Sequence, residues 1–451
     1  VKTLQRIGVS AAVLVVGVSA AVAAASSPAP HVPVTTRTGI FADGATWTVK
    51  TPADWNGTVL LYSHGAVLPG TPNPTVIAPD RFTGGALLER GYALAGTSYA
   101  GTGWAVEEAL DDQIAVLDQL PTPPREALAW GSSLGGLVTA ELVERHPDRI
   151  AGALPMCGVL AGGVRLWDAY LSVQFALATL VAPGELVNVG DPAATLARLR
   201  STLDAAQATP TGRARIALAA SLGGLPGWAH AGTPRPTDAA DQEAAQYETL
   251  RGVLADLMVV GRAELERRAG GNPSSTFRSF RLGKASAEVA RLYTDAGLDL
   301  AADLSRLDAA PPITADPRAR DYLARFGTPT GALHGRPVLT LHTTGDGLAV
   351  PEHESAYAAA VGSGLVQAFV DRPGHCLFST GEMVAAVEEL VDRVHTGRTG
   401  RLDPAALDER ARALGPNLNV HVDDDGTIPV EPGFVAFTPG PFPGTNERVE
   451  R

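Results

Sequence analysis

The stretch ALAWGSSLGGLVTAELVERHP, Ala127 to Pro147, constrains this chain more than any other. A short apolar run leads into a turn of glycines and serines, and an apolar pattern at helical spacing follows, stopped by Pro147. The plain reading is a small-residue turn that lets a strand meet a helix. The sharper one is a nucleophile elbow, in which a serine sits on that turn with small residues two positions to either side. In Gly131-Ser132-Ser133-Leu134-Gly135 the central residue is Ser133. Its hydroxyl would lie at the start of a helix, where free N–H groups and the helix dipole favour developing negative charge. Ser132 is off-centre and reads as a small residue filling the turn.

The surroundings repeat the strand-then-helix theme. TVLLYSHG (58–65), the start of GYALAGTSYAG (91–101) and IAGALPMCG (150–158) are apolar runs of the kind that make buried parallel strands. Before the elbow, Leu110, Ile114 and Leu117 fall at helical spacing, with Glu107, Asp111, Asp112 and Asp118 placed to face water. From about 163 to 333 the chain turns Ala/Leu/Arg-rich and helical, broken by proline and glycine. Strand patterns return in RPVLTLHTTGD and LVQAFVDRPGHC, followed by a helix over about 381–394. The organisation expected is an α/β core in two parts, 38–162 and 334–396, interrupted by a helical insertion, 163–333. The core predicts a mostly parallel central sheet with helices on both faces. A C-terminal extension, 397–451, holds one helix and a proline-rich end that reads as an extended strap.

The amino-terminal segment reads differently. Lys2 and Arg6 precede an apolar run, then Ala23-Ala24-Ala25 and Ser26-Ser27-Pro28, which is the layout of a secretory signal over 1–25. An uncleaved anchor is the alternative, disfavoured because the run is short and contains glycine. A lead segment, 26–37, follows. The protein is therefore expected to be secreted, extracellular and without a stable membrane anchor once the signal is removed. A net charge of −12 with no basic block argues against nucleic-acid partners. Oligomeric state is not legible.

Two cysteines, Cys157 and Cys376, are the whole complement, and outside the cell a disulfide between them is expected. No cluster has metal-ligand spacing, and neither His342 nor His353 has a neighbour that completes a site, so no metal or other cofactor is expected.

A serine needs a base and an orienting acid to become a nucleophile. Asp346 directly follows the strand PVLTLHTT, and His375 follows LVQAFVD in PGHC. Both stand at strand-to-loop transitions, at what must be the carboxyl edge of one sheet. Histidine suits the base because it titrates near neutrality. Glu352, Glu354 and Asp371 are rival acids; the first two look helical, and Asp371 sits in the strand end just before the histidine. A developing oxyanion needs two N–H donors: Leu134 is one, and the loop SHGAV offers Ala66, with Gly65 allowing close approach. His64 reads as a residue that shapes this loop.

His64-Gly65, the Gly131–Gly135 elbow, Asp346 and His375 occur in the order and context of the α/β-hydrolase superfamily, and the sequence resembles a secreted bacterial serine esterase or lipase of that group with a large helical cap. The resemblance spans about residues 38 to 395, weakly through the cap. It implies Ser133 as nucleophile, His375 as base, Asp346 as acid, and Leu134 and Ala66 as oxyanion donors. One feature is similar to the tannase and feruloyl esterase branch, where a cysteine after the catalytic histidine bonds to one just before the nucleophile. Cys376 matches the first position; Ser132 occupies the second, so the bridge must differ, with Cys157 as the substitute.

The resemblance implies hydrolysis of a small or medium carboxylic ester through an acyl-enzyme. A capped aminopeptidase or an acyltransferase would share the triad, and a catalytically dead binding module is the remote alternative. Trp167, Tyr170, Phe175 and Trp228 are candidate pocket walls, though plain core is the stronger reading of each. Asp168 is the single acid in the apolar stretch CGVLAGGVRLWDAYLSVQFALATL, and hence the candidate partner for a substrate amine.

Overall fold

The computed structural model describes residues 32–182, 186–283, 286–423 and 426–444, so the signal over 1–25 and the first part of the lead lie outside the described residues. Among the described residues eleven strands are formed: β1 (Val34–Ile40), β2 (Thr46–Pro52), β3 (Thr58–Ser63), β4 (Ala93–Thr97), β5 (Glu126–Ser132), β6 (Gly152–Met156), β7 (Val338–Gly345), β8 (Leu365–Pro373), β9 (Val420–Asp423), β10 (Gly426–Pro429) and β11 (Phe434–Val435). Nine of them make one sheet in the order β1-β2-β4-β3-β5-β6-β7-β8-β11, and β9 with β10 makes a separate hairpin. Neighbours from β4 to β8 run parallel, while β1, β2 and β11 add antiparallel edges. The expected fold class, a mostly parallel sheet covered on both faces, is the one observed.

Side-chain alternation explains the layering. Along β3, Val59 and Leu61 join Ala127 and Ala129 of β5 in one apolar cluster, which also takes Leu110 of α2 (Val106–Leu117) and Leu137 and Val143 of α3 (Leu134–Arg145). Leu60, Tyr62, Leu128 and Trp130 point to the other face. There they meet Leu87 of α1 (Arg81–Glu89) and Val384, Val387 and Leu390 of the helix Thr380–Thr396. With both faces covered, every residue of β3, β4, β6 and β7 is buried.

The helices from α4 (Gly163–Leu180) to Pro317–Arg325 lie between β6 and β7, and one of them carries a π-helical turn, Leu257–Gly261. No helix among the described residues is long and apolar enough to cross a membrane.

Three details differ from the reading of the sequence. The lead does not stop short of the sheet, because β1 begins at Val34 and pairs antiparallel with β2. The strap does more than cross the surface: Phe434 and Val435 pair with Val370 and Phe369 of β8 and cap the sheet edge. Asp112, placed facing water, is buried and accepts the Ala100 N–H at 2.9 Å. Its carboxyl is pushed up to about 7 by burial, with Asp43 adding to the effect.

Candidate active site

Register brings the chemistry to one edge. Pairings Ser63↔Gly131, Ser132↔Met156, Met156↔Leu341 and Gly345↔Pro373 align the carboxyl ends of five adjacent strands. The residues just beyond those ends are His64 to Ala66, Ser133, Cys157, Asp346, and His375 with Cys376.

Ser133 has φ 61° and ψ −124°, a left-handed conformation that a non-glycine residue holds only under constraint. Its N–H donates to the Met156 carbonyl at 3.0 Å, and its carbonyl accepts from Gly136 at 2.9 Å. The flanking glycines are required by space: a Cβ on Gly135 would lie 2.0 Å from the Ser63 carbonyl oxygen, and one on Gly131 would lie 2.5 Å from that same atom. Gly65 passes beside the serine, its would-be Cβ 3.3 Å from Ser133 Cβ. Ser132 is buried, and its hydroxyl accepts from Tyr62 at 3.2 Å, in keeping with a filling role.

Asp346 and His375 are joined, His375 Nδ1 to Asp346 Oδ2 at 2.7 Å. The other oxygen of Asp346 accepts the N–H groups of Leu348 at 2.8 Å and Ala349 at 3.1 Å. Burial of Asp346 pushes its carboxyl up, but the charge of His375 and hydrogen bonds from His342 and His375 outweigh this and hold it at about 2. The rival acids are occupied elsewhere. Glu354 binds Thr340, Gln367 and His342, and Asp371 binds Arg235 and Thr344. Glu352 opens the helix Glu352–Val361.

Ser133 and His375 line one cavity. Its walls are apolar: Val67, Leu68 and Trp104 from the core loops, Val159 after β6, and Leu166, Trp167, Tyr170, Leu257 and Gly261 from the helical insertion. Ala66 and Leu134 also line it. Leu134 is the first residue of α3, so its N–H has no acceptor within the helix, and among the described residues neither this N–H nor that of Ala66 has an acceptor. Trp104, Trp167 and Tyr170 form an edge-to-face series with centroids 5.9 and 5.6 Å apart.

Of the four aromatic candidates, Trp167 and Tyr170 reach the cavity. Phe175 instead stacks on Phe280 and faces a separate polar cavity. Trp228 packs against Gly345 under the Arg235 guanidinium. Asp168 is paired with Arg320 at 2.9 Å, accepts the Ser275 N–H, and faces the polar cavity too. His64 is buried, stacked 3.9 Å from Tyr99, and donates from Nδ1 to the Gly65 carbonyl at 2.8 Å; it shapes the loop.

Cys157 and Cys376 form the disulfide, Cα to Cα 5.3 Å. Both residues have positive φ, 42° and 57°, so each sits on a tight turn leaving its strand. The two sulfurs and a ring nitrogen of His375 lie within 4.8 Å of one another, so the bridge packs beside the imidazole. Its sulfurs are committed to each other and are not free as metal ligands.

The sequence reading missed Trp104, Val159, Leu257 and Gly261 as cavity walls and His342 as the neighbour of Asp346. A histidine inside an otherwise apolar and threonine-bearing strand was the available signal for the last; the others come together only through the insertion's packing.

An elbow serine, a histidine–aspartate pair at the carboxyl edge and this strand order define an α/β-hydrolase fold. No family model matches the chain. It is 28% identical over 439 residues to an o-phthalyl amidase of Xanthobacter agilis, a match covering 85% of this chain and 92% of that protein. Among solved structures it is similar to feruloyl esterase B from Aspergillus oryzae, at TM-score 0.42 and 12% identity, covering 81% of this chain and 82% of the other. It is also similar to a proline iminopeptidase of Mycobacterium smegmatis, at TM-score 0.36 and 15% identity, covering 84% of this chain and all, 100%, of the other.

Proposed function

We propose that the protein is a secreted serine hydrolase that cleaves carboxylic esters of uncharged, apolar acids. The observation that carries this reading is the Asp346–His375 hydrogen bond at 2.7 Å, with His375 and Ser133 lining one apolar cavity. Ser133 Oγ attacks the ester carbonyl while His375 takes its proton; the N–H groups of Leu134 and Ala66 receive the oxyanion. His375 then protonates the departing alkoxide, leaving an acyl-enzyme. Water, deprotonated by His375, attacks this ester, and the acid leaves as Ser133 regains its proton. The helical insertion acts as a cap, since it supplies Leu166, Trp167, Tyr170, Leu257 and Gly261 to the cavity wall. The disulfide and the signal-like start support an oxidising destination.

A second reading is an amidase, favoured by the likeness to the o-phthalyl amidase. An aminopeptidase is disfavoured: no carboxylate lines the cavity among the described residues, and Asp168 is held by Arg320. Bringing a free ammonium into such a site would be costly.

Matched substrates decide between these readings: nitrophenyl butyrate and benzoate, the corresponding nitroanilides, and alanyl nitroanilide. The ester reading expects both esters to turn over fastest and Ser133→Ala to lose about a thousandfold or more while staying folded. Faster turnover of the benzoyl or butyryl anilide selects the amidase, and faster turnover of alanyl nitroanilide selects the peptidase. Acyl transfer to added alcohol in preference to water would make it an acyltransferase. A chain that does not react with a fluorophosphonate probe at Ser133 would be a binding module.

A further inference from the structure

Behind the Asp346–His375 pair lies a second histidine that the proposed chemistry does not use. His342, in β7, has no exposed side-chain surface, and both its ring nitrogens face acceptors. Nε2 is 2.7 Å from the Ala349 carbonyl and 3.5 Å from Asp346 Oδ2, the same oxygen that receives His375. Nδ1 is 3.1 Å from Glu354 Oε1. A carbonyl oxygen can only accept, so Nε2 carries a proton. On the other side, Glu354 Oε2 already accepts from the Thr340 hydroxyl at 2.6 Å and the Gln367 amide at 2.7 Å, the donor environment of a carboxylate. With Glu354 ionised, Nδ1 carries a proton too.

We propose, resting on the triad reading above, that His342 is a positioning residue: a permanent buried imidazolium that clamps Asp346 from behind and weakens that carboxylate's hold on the proton of His375. The clamp has a mechanical and an electrostatic part. Mechanically, the Asp346–Ala349 turn is fixed three times: by Asp346 Oδ1 on two N–H groups, by His342 on the Ala349 carbonyl, and by the Tyr170 hydroxyl on the Leu348 carbonyl at 3.0 Å. Leu348 and Ala349 in turn line the cavity. Electrostatically, Asp346 and Glu354 together bring two negative charges behind His375, and the imidazolium cancels one of them. Burial alone would push His342 down, but hydrogen bonds to Asp346 and Glu354 raise it to about 10, in line with the geometry.

The charged and titratable groups facing His342 come from every neighbouring element. They are Asp346 beyond β7, His375 beyond β8, and Glu354 and His353 on the helix Glu352–Val361; Tyr170 on α4 faces Asp346. His353 accepts the Ala161 N–H on Nδ1 at 2.9 Å, which keeps it neutral beside the imidazolium, and it is pushed down to about 3 by burial and by the charge of His342.

The sign follows. With the cation in place, the acid limb of kcat/KM lies at lower pH than it does without it. In His342→Gln the cation is gone while Asp346 and Glu354 keep their charges, so both carboxylates act on His375 with neither offset. The acid limb of kcat/KM then moves up by about one pH unit, so that turnover at the acid end drops about tenfold more than at the plateau. A limb within about 0.3 unit of wild type, with or without a lower plateau, overturns the proposal. Wild-type protein gives a second measurement that needs no variant to fold. Imidazole nitrogen NMR should show His342 protonated on both nitrogens from about pH 6 to about pH 8.5, and a bare Nδ1 in that range overturns the clamp. Failure of the triad reading looks different: Ser133→Ala would retain turnover, while the NMR state of His342 still stands or falls by itself.

Discussion

At the scale of single residues, the opposition between Ser132 and Ser133 is decided by backbone direction. Ser133 alone occupies the left-handed turn and faces the cavity, so Ser132→Ala should keep a large fraction of the turnover that Ser133→Ala abolishes. The acids separate in the same way. Asp346→Asn should depress kcat strongly, because the amide cannot orient and charge-balance His375, whereas Asp371→Asn removes only half-exposed contacts to Arg235 and Thr344. Steady-state kinetics on the four single variants check both expectations, and a larger loss from Asp371→Asn would redraw the triad. The glycines give a stability test. A Cβ on Gly135 meets backbone at 2.0 Å, and Gly135→Ala should cost about 1–3 kcal/mol or more. Gly85, inside α1 with open space around it, should gain about 0.5–1 kcal/mol on change to alanine. Urea midpoints of the two variants should therefore move in opposite directions.

At the scale of elements, the π-helical turn Leu257–Gly261 lines the cavity beside Leu166, Trp167 and Tyr170 of α4. Such turns displace a residue from helical register, and here the displaced stretch puts Leu257 and Gly261 on the cavity wall. A Cβ on Gly261 would sit 3.3 Å from the Trp167 ring and 3.8 Å from Leu257, so a longer side chain must grow into the free volume. Gly261→Leu should therefore lower kcat/KM for benzoate-sized esters by roughly 10–200-fold and leave acetate esters near wild type. An equal loss on all acyl sizes would mean that the turn supports the fold and does not set acyl size.

At the scale of the whole molecule, one covalent bond closes a loop of nearly half the chain. Cys157 and Cys376 are 219 residues apart in sequence and enclose the entire insertion, so the chain-entropy model gives about 5 kcal/mol as an upper estimate of the stabilisation. Its position gives it a second consequence, since it holds the His375 loop against the strand beside the elbow. Reduction should lower kcat before the thermal or urea transition moves into the assay range. Coincident loss of activity and of folded signal would restrict the bridge to a purely global role.

The sequence by itself determined what depends on local pattern: buried strands as continuous apolar runs, the elbow as small residues around Ser133, and polar groups at strand ends for Asp346 and His375. Each of these is set by neighbours a few residues away, through steric limits or strand periodicity. What only the tertiary structure decided depends on separations of tens to hundreds of residues. Asp168 meets Arg320 in place of a ligand, Phe175 and Trp228 turn away from the cavity while Trp104 and Gly261 line it, and β11 returns to the sheet edge. His342 belongs with these: its place in β7 is readable, but its two carboxylate neighbours come together only when the turn after the strand folds back and the next helix packs. Packing is a property of the assembled surface, and a one-dimensional pattern carries the period of a face without naming what will cover it.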